Sequence, residues 1–245
     1  MSIAILSAAR TPIGRFLGTL QDVPAKDLGI AASQAALERA GVSAADVDET
    51  IFGMARQAGN GPNPARQVSL GAGVPEAVAA YTVNQACASG LKSIALGASQ
   101  IREGDASLVL AGGMESMTRV PYLLENARLG YRLGTNEIVA GMYRDGFHCP
   151  LADQLMGRTA ETLAEQYDLS RDVQDEFAVQ SQNRAEAAWN AGHFDAELTT
   201  VEVPTRKGSE TFTRDEHMRA GSTLEGMRKL PDVFKKDGTV HAGNS

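Results

Sequence analysis

The feature that most constrains the fold of this 245-residue chain is an alternation of two hydrophobic periods over residues 3–120. Short apolar runs take turns with stretches whose apolar residues recur at helical spacing, and glycine, proline and asparagine stand between them. Ile3-Ala4-Ile5-Leu6 is the first apolar run and reads as a strand, followed by a turn punctuated by Pro12 and Gly14. Residues 26–40 place Leu28, Ala31, Ala32, Ala35 and Leu37 near helical spacing, and Gly41 closes that helix as a C-terminal cap. Residues 50–54 read as a strand, and the loop from Gly59 to Pro64 opens a helix through Ala65 and Val68. A strand over 80–83, a helix over 90–102 ending at Gly104, and a buried-type strand over 106–111 complete the series. Strand and helix in this order specify an α/β architecture.

The texture changes near residue 119. Residues 120–157 are irregular, with scattered Gly, Pro, Tyr and Arg. Two polar helices are expected next, over 159–167 and 170–191, with Thr159 and Ser170 as their N-caps. Residues 199–204 alternate like a half-exposed strand, and charge dominates from 206 to 236. The region reads as an α-rich insertion on the first domain. The last residues, DGTVHAGNS, look like the start of another strand and glycine turn, so the sequence reads as one that stops partway through a domain.

Charge and cysteine usage narrow the function. A net charge of −7 argues against non-specific binding to nucleic acid or anionic membrane. No apolar run reaches the roughly 18 residues that a membrane span needs, and the first residues lack the pattern of a signal peptide. Cys87 and Cys149 stand far apart without a CxxC pattern, which fits a reducing cytoplasm and two free thiols.

Cys87 lies in NQACASGLKSI, between the strand over 80–83 and the helix that follows. A cysteine among small residues is ordinarily a buried apolar side chain. Here, however, the helix start supplies unpaired backbone N–H groups and the positive end of the helix dipole, the setting in which cysteines become nucleophilic. Ala88, Ser89 and Gly90 are small enough to admit a substrate carbonyl, and the N–H groups nearby suit a developing oxyanion.

NQACASGLKSI resembles the acyl-accepting cysteine motif of the thiolase family. SAARTPIGRFLGTL, GNGPNPARQ, GDASLVLAGGMESMT, MGRTAETLAEQYDLSRDVQDEFAVQSQNRAEAA and DGTVHAGNS stand around it in the order in which thiolases carry them. The resemblance spans essentially residues 2–245. It implies a thiolase-like α/β fold made of an N-terminal α/β domain over 1–119, a CoA-binding loop domain over 120–238, and a return strand over 239–245. It implies no second α/β half in this sequence, and hence neither the Gly-His-Pro histidine nor the second cysteine of the family.

The activity implied is an acyl-CoA acyltransferase that forms or cleaves a 3-ketoacyl-CoA through an acyl-Cys87 intermediate. Acyl-CoA and CoA are substrates, and neither a metal nor a bound cofactor is implied. Met156, Leu230, Phe234 and Ala242 match positions along the pantetheine arm and nucleotide of CoA, Gly157 shares the turn of Met156, and Arg219 matches a basic residue near the nucleotide. Leu155 departs from the His common in acetoacetyl-specific members, which leaves an acetyl-CoA acetyltransferase and a broader 3-ketoacyl-CoA thiolase both open. A cytoplasmic homodimer or homotetramer is implied at full length, with a place in fatty acid metabolism. The competing reading is a catalytically silent chain that binds CoA or a partner. His148, His193, His217 and His241 match no catalytic position and are expected at surface or structural places, as are Cys149, Glu115, Arg10 and Arg66.

Overall fold

A computed structural model describes residues 2–245. In chain order it contains α1 (Ala25–Ala40), β1 (Glu49–Gly53), α2 (Pro64–Gly71), β2 (Ala79–Val83), α3 (Ser89–Glu103), β3 (Val109–Gly113), β4 (Tyr122–Leu123), β5 (Val139–Ala140), β6 (His148–Cys149), β7 (Gln154–Leu155), α4 (Met156–Gln166), α5 (Arg171–Asn190), β8 (Val201–Thr205), β9 (Gly208–Phe212) and α6 (Leu224–Arg228). Contacts divide the described residues into two compact units, 2–142 with Glu197–Glu216, and Tyr143–Ala196 with His217–Ser245. The domain bounds implied by the resemblance, 1–119, 120–238 and 239–245, remain expectations beside these two units.

The first unit is built on a parallel sheet in the order β2-β1-β3. Parallel neighbours need crossovers, and α2 and α3 supply them. Side chains of β1 alternate between the faces, as the pleat requires. Phe52 belongs to an apolar cluster with Ala25 and Leu37 of α1, Val68 of α2, and Leu110 and Met114, while Thr50 hydroxyl meets Ser69 of α2 at 3.1 Å. On the opposite face Gly53 lies against α3. Helix ends follow the local chemistry. Gly41 and Gly104 close α1 and α3 in the left-handed region, at φ 67° and 85°. Asn63 caps α2 through a bond from Arg66 N–H, with Pro64 in its first turn.

The antiparallel pair β8–β9 packs Val201 and Val203 against Leu20 and Val23 of the same unit. Arg10 joins this region: its N–H donates to Glu197 carbonyl, its carbonyl accepts from Thr199, and its guanidinium meets Asp215 at 2.8 Å. Two expectations are corrected here. Ile3–Leu6 is not a strand among the described residues, and Ile5 and Leu6 are exposed. The run has strand composition without a paired neighbour, and composition alone does not make a ladder. The charged stretch after 206 holds β9, whose Gly, Ser, Glu and Thr are exposed and show no apolar alternation to announce a strand.

In the second unit α4, α5 and α6 surround the terminal segment. α5 begins at Ser170, whose hydroxyl accepts from Val173 N–H, as the sequence predicts. Thr159 is not a cap. α4 starts earlier, after Leu155, and Thr159 hydroxyl bonds back to Met156 carbonyl inside the helix. The buried positions of these helices include two carboxylates beside Ala164 and Met227: Glu161, and Asp175, against which His241 is buried. His241 Nδ1 accepts from Gly243 N–H, which leaves the ring proton on Nε2 to be donated to Asp175 Oδ1 at 2.7 Å. Asn244 donates to the same oxygen at 3.0 Å and to Thr239 carbonyl at 2.9 Å. Arg171 brings its charge to within 3.6 Å of the other oxygen. The terminal segment is therefore fastened by directional polar bonds, which fix its course more narrowly than apolar packing does.

Candidate active site

β2 delivers the chain to the edge of the sheet at Val83, and residues 84–88 turn it into α3. Ala86 takes φ 49°, in the left-handed region that a residue with a Cβ ordinarily avoids. Ser89, at the first position of α3 and buried, binds both sides of that turn: its hydroxyl accepts from Gln85 N–H at 2.9 Å and donates to Ala86 carbonyl at 2.6 Å. Ser89 N–H also donates to Ala86 carbonyl, and Ala88 N–H to Gln85 carbonyl. Cys87 stands on this turn as a free, exposed thiol. An exposed thiol thus sits just before a helix N-terminus, on a turn whose backbone polar groups are largely engaged.

Close contact between glycines sets the height of that turn above the sheet. A Cβ on Gly53 would lie 2.2 Å from Ser89 C and 2.5 Å from Gly90 N. A Cβ on Gly113, at the end of β3, would lie 3.1 Å from Gly90 Cα. Ser93, fully buried one turn into α3, holds the contact with its hydroxyl 2.7 Å from both Gly112 and Gly90 carbonyls. The first turn of α3 is therefore pressed against the C-terminal ends of β1 and β3, where open parallel sheets place their binding sites. Glu115 follows β3 and accepts the N–H groups of Ala55 and Arg56 on one carboxylate oxygen, at 3.0 and 3.2 Å. Arg66 is likewise engaged with backbone, donating to Val78 and Glu76 carbonyls.

The five residues singled out for CoA lie in the second unit. Met156 begins α4, half its surface open, and Gly157 beside it lies so near Phe234 that a Cβ there would meet the ring at 2.4 Å. Leu230 approaches Gly243, next to Ala242, with its Cδ1 2.6 Å from where a Cβ would stand. Phe234 thus lies against the residue after Met156, and Leu230 against the residue after Ala242. Arg219 belongs to neither contact; its turn is held to α5 by Gln182, which accepts Arg219 N–H, and by Glu186, which accepts Gly221 N–H.

Sequence reasoning missed the group that holds this region. Burial alone would raise the Glu161 carboxyl. The N–H groups of Thr239 and Val240, Thr239 hydroxyl and the charge of Lys235 outweigh burial and hold it below the usual carboxylate range. The one sequence signal was an acidic residue on the inward side of a helix. His148 lies 3.3 Å from Asp153 in an exposed pair, and His241 is buried against Asp175.

Comparison with known proteins points to one family. A protein-family model described as thiolase, N-terminal domain, matches residues 3–245. Acetyl-CoA acetyltransferase of Pseudomonas aeruginosa is 47% identical over 244 residues, covering 99% of this chain and 62% of that protein. Acetyl-CoA acetyltransferase of Escherichia coli is 48% identical over 242 residues, covering 98% of this chain and 61% of that protein. The crystal structure of the Bacillus anthracis acetyl-CoA acetyltransferase superposes with a TM-score of 0.95 at 39% identity, over 98% of this chain and 61% of that one. The chain spans about three fifths of the length of these relatives.

Proposed function

The chain belongs to the thiolase family, and from that premise we propose that it carries the acyl-accepting cysteine of an acetyl-CoA acetyltransferase, with Cys87 as the nucleophile. The observation that supports this most is the exposed Cys87 thiol on a bonded turn at the start of α3. In this reading a base takes the thiol proton and Cys87 sulfur attacks the carbonyl carbon of an acyl-CoA. The carbonyl electrons move onto oxygen, where a backbone N–H at the start of α3 offers a hydrogen bond. Collapse of that intermediate expels CoA thiolate and leaves the acyl group on sulfur. A second acetyl-CoA then loses an α-proton, its carbanion attacks the acyl carbon, and Cys87 thiolate departs as the 3-ketoacyl-CoA forms. Thiolysis runs the same steps backwards. The covalent intermediate divides one difficult carbon–carbon bond step into two easier ones.

Met156, Leu230, Phe234 and Ala242 are proposed to line the pantetheine arm and Arg219 to attend the nucleotide. CoA thioesters enter as substrates, and the reaction uses neither metal nor prosthetic group. The groups that move protons at the thiol and at the α-carbon are assigned to the part of the longer relatives outside the match. Leu155 lacks the imidazole expected for acetoacetyl specificity, so acyl chains longer than acetyl belong to the proposed range. The full-length enzyme is proposed as a cytoplasmic homodimer or homotetramer.

Iodoacetamide labelling tests the nucleophile. The rate at Cys87 in the native chain is compared with the rate at the same thiol in urea, so that exposure alone does not decide the result. A nucleophile set at a helix start reacts roughly fivefold or more faster in the native chain. An equal or slower native rate overturns the assignment and favours the silent, CoA-binding reading.

A further inference from the structure

Asn84 is the residue that joins the Cys87 turn to the strand beside it. Its side-chain oxygen accepts Ala86 N–H at 2.9 Å, and its side-chain amide donates to Ala55 carbonyl at 3.1 Å. The two partners, one donor and one acceptor, permit a single orientation of the amide. Ala55 itself is fixed from the other side, because its N–H donates to Glu115. A relay of side chain and backbone therefore runs from Glu115 through Ala55 and Asn84 to Ala86, the residue in the left-handed region immediately before Cys87.

We infer that Asn84 is a positioning residue for Cys87, holding Ala86 in its left-handed conformation so that the sulfur and the backbone N–H of Cys87 are presented in one direction. Both peptide planes flanking Ala86 are fixed by side chains. Ala86 N–H is held by Asn84, and Ala86 carbonyl is held by Ser89. Cys87 N–H lies in the same trans peptide as that carbonyl and points the opposite way, so the bonds that orient Ala86 also orient Cys87. Without Asn84, Ala86 is free to relax toward negative φ, where its Cβ meets less backbone. That relaxation rotates Cys87 away from the start of α3. The inference rests on the reading of Cys87 as the nucleophile, and Asn84 acts through the turn without touching substrate.

The test uses four chains: wild type, Asn84→Ala, Ala86→Gly and the double variant. Two quantities are read from each, the alkylation rate of Cys87 with Cys149 as internal reference, and the hydrogen-exchange rate of the residue 86 amide. Asn84→Ala is expected to slow Cys87 alkylation about tenfold and to speed exchange at residue 86 about tenfold, the loss of one bond held in place, with Cys149 unchanged. Glycine adopts the left-handed region at little cost. In the Ala86→Gly background the same Asn84→Ala change is therefore expected to slow Cys87 by less than about threefold. A role limited to general stability gives equal losses in both backgrounds and overturns the inference, as does unchanged exchange at residue 86. If Cys87 proves no more reactive than an unfolded thiol while exchange responds as described, the nucleophile reading falls and the clamp on Ala86 stands.

Discussion

Gly53→Ala is expected to destabilise the first unit by about 3 kcal/mol, the upper part of the range for overpacking a close contact. The added methyl would lie 2.2 Å from Ser89 C and 2.4 Å from Ser89 O. Those atoms are backbone, so no rotamer change relieves the clash. β1 is the middle strand of the sheet and is paired on both sides, which prevents it from yielding. The first turn of α3 must then lift away from β1 and β3, and Ser93 hydroxyl loses its hold on Gly112 carbonyl. Gly90→Ala is the control in the same place. A Cβ there meets only Gly113 Cα, at an ordinary 3.8 Å, and alanine favours a helix by about 1 kcal/mol over glycine. Thermal unfolding should therefore fall by many degrees in the first variant and stay level or rise in the second. Equal midpoints for Gly53→Ala and wild type would contradict the packing described here.

Glu161→Gln is expected to cost the second unit about 2–4 kcal/mol at neutral pH, because a buried acceptor of several bonds is exchanged for a group that is half donor. Glu161 is 2% exposed, and its oxygens accept Thr239 N–H at 2.9 and 3.0 Å, Val240 N–H at 2.8 Å and Thr239 hydroxyl at 3.1 Å. The glutamine NH₂ would face N–H groups. The pH dependence has a definite sign. The folded carboxyl titrates below its ordinary value despite burial, since those bonds and Lys235 favour the charged form. A depressed folded value means that the stability is fully present above the unfolded value, about 4.3, and is lost as pH falls through the lower folded value. Urea unfolding of wild type and Glu161→Gln should thus differ by a constant amount between about pH 5 and 7. The difference should shrink as the solution is made more acid. A difference that grows on acidification would show that the carboxyl is held protonated instead.

Much of the first unit was legible because its signals are local. Gly41 and Gly104 mark helix ends by their own backbone, and the apolar runs at 50–54 and 80–83 lie within one residue of the observed strand limits. Thr159 was misread because a threonine just inside a helix resembles one just before it, and Leu155, the true boundary, has no side-chain bond to announce it. Ile3–Leu6 shows the converse: the composition of a strand is local, while its partner is not. The network around Glu161 and Asp175 was out of reach for the same reason. Glu161 meets Thr239 and Val240 across 78 and 79 positions of sequence, and Asp175 meets His241 across 66.

The site divides along the same line. Cys87 was legible from its motif and its place before a helix. Ser89 was read only as a small residue and Asn84 was assigned no role, since what they do depends on Ala86 having positive φ and on Ala55 arriving after the neighbouring strand. The five CoA candidates were placed by resemblance. The structure sets Gly157, the neighbour of Met156, against Phe234, and Gly243, the neighbour of Ala242, against Leu230, contacts that no local pattern contains.

Acyl transfer to Cys87 is the most direct test of the account. The chain is incubated with acetyl-CoA, quenched in acid, digested and read by mass spectrometry, beside a Cys87→Ala variant treated alike. The account predicts one acetyl group on the peptide that carries Cys87, none on the peptide of Cys149, and none in the variant. Acetyl found equally on both cysteines, or absent from Cys87, would contradict it.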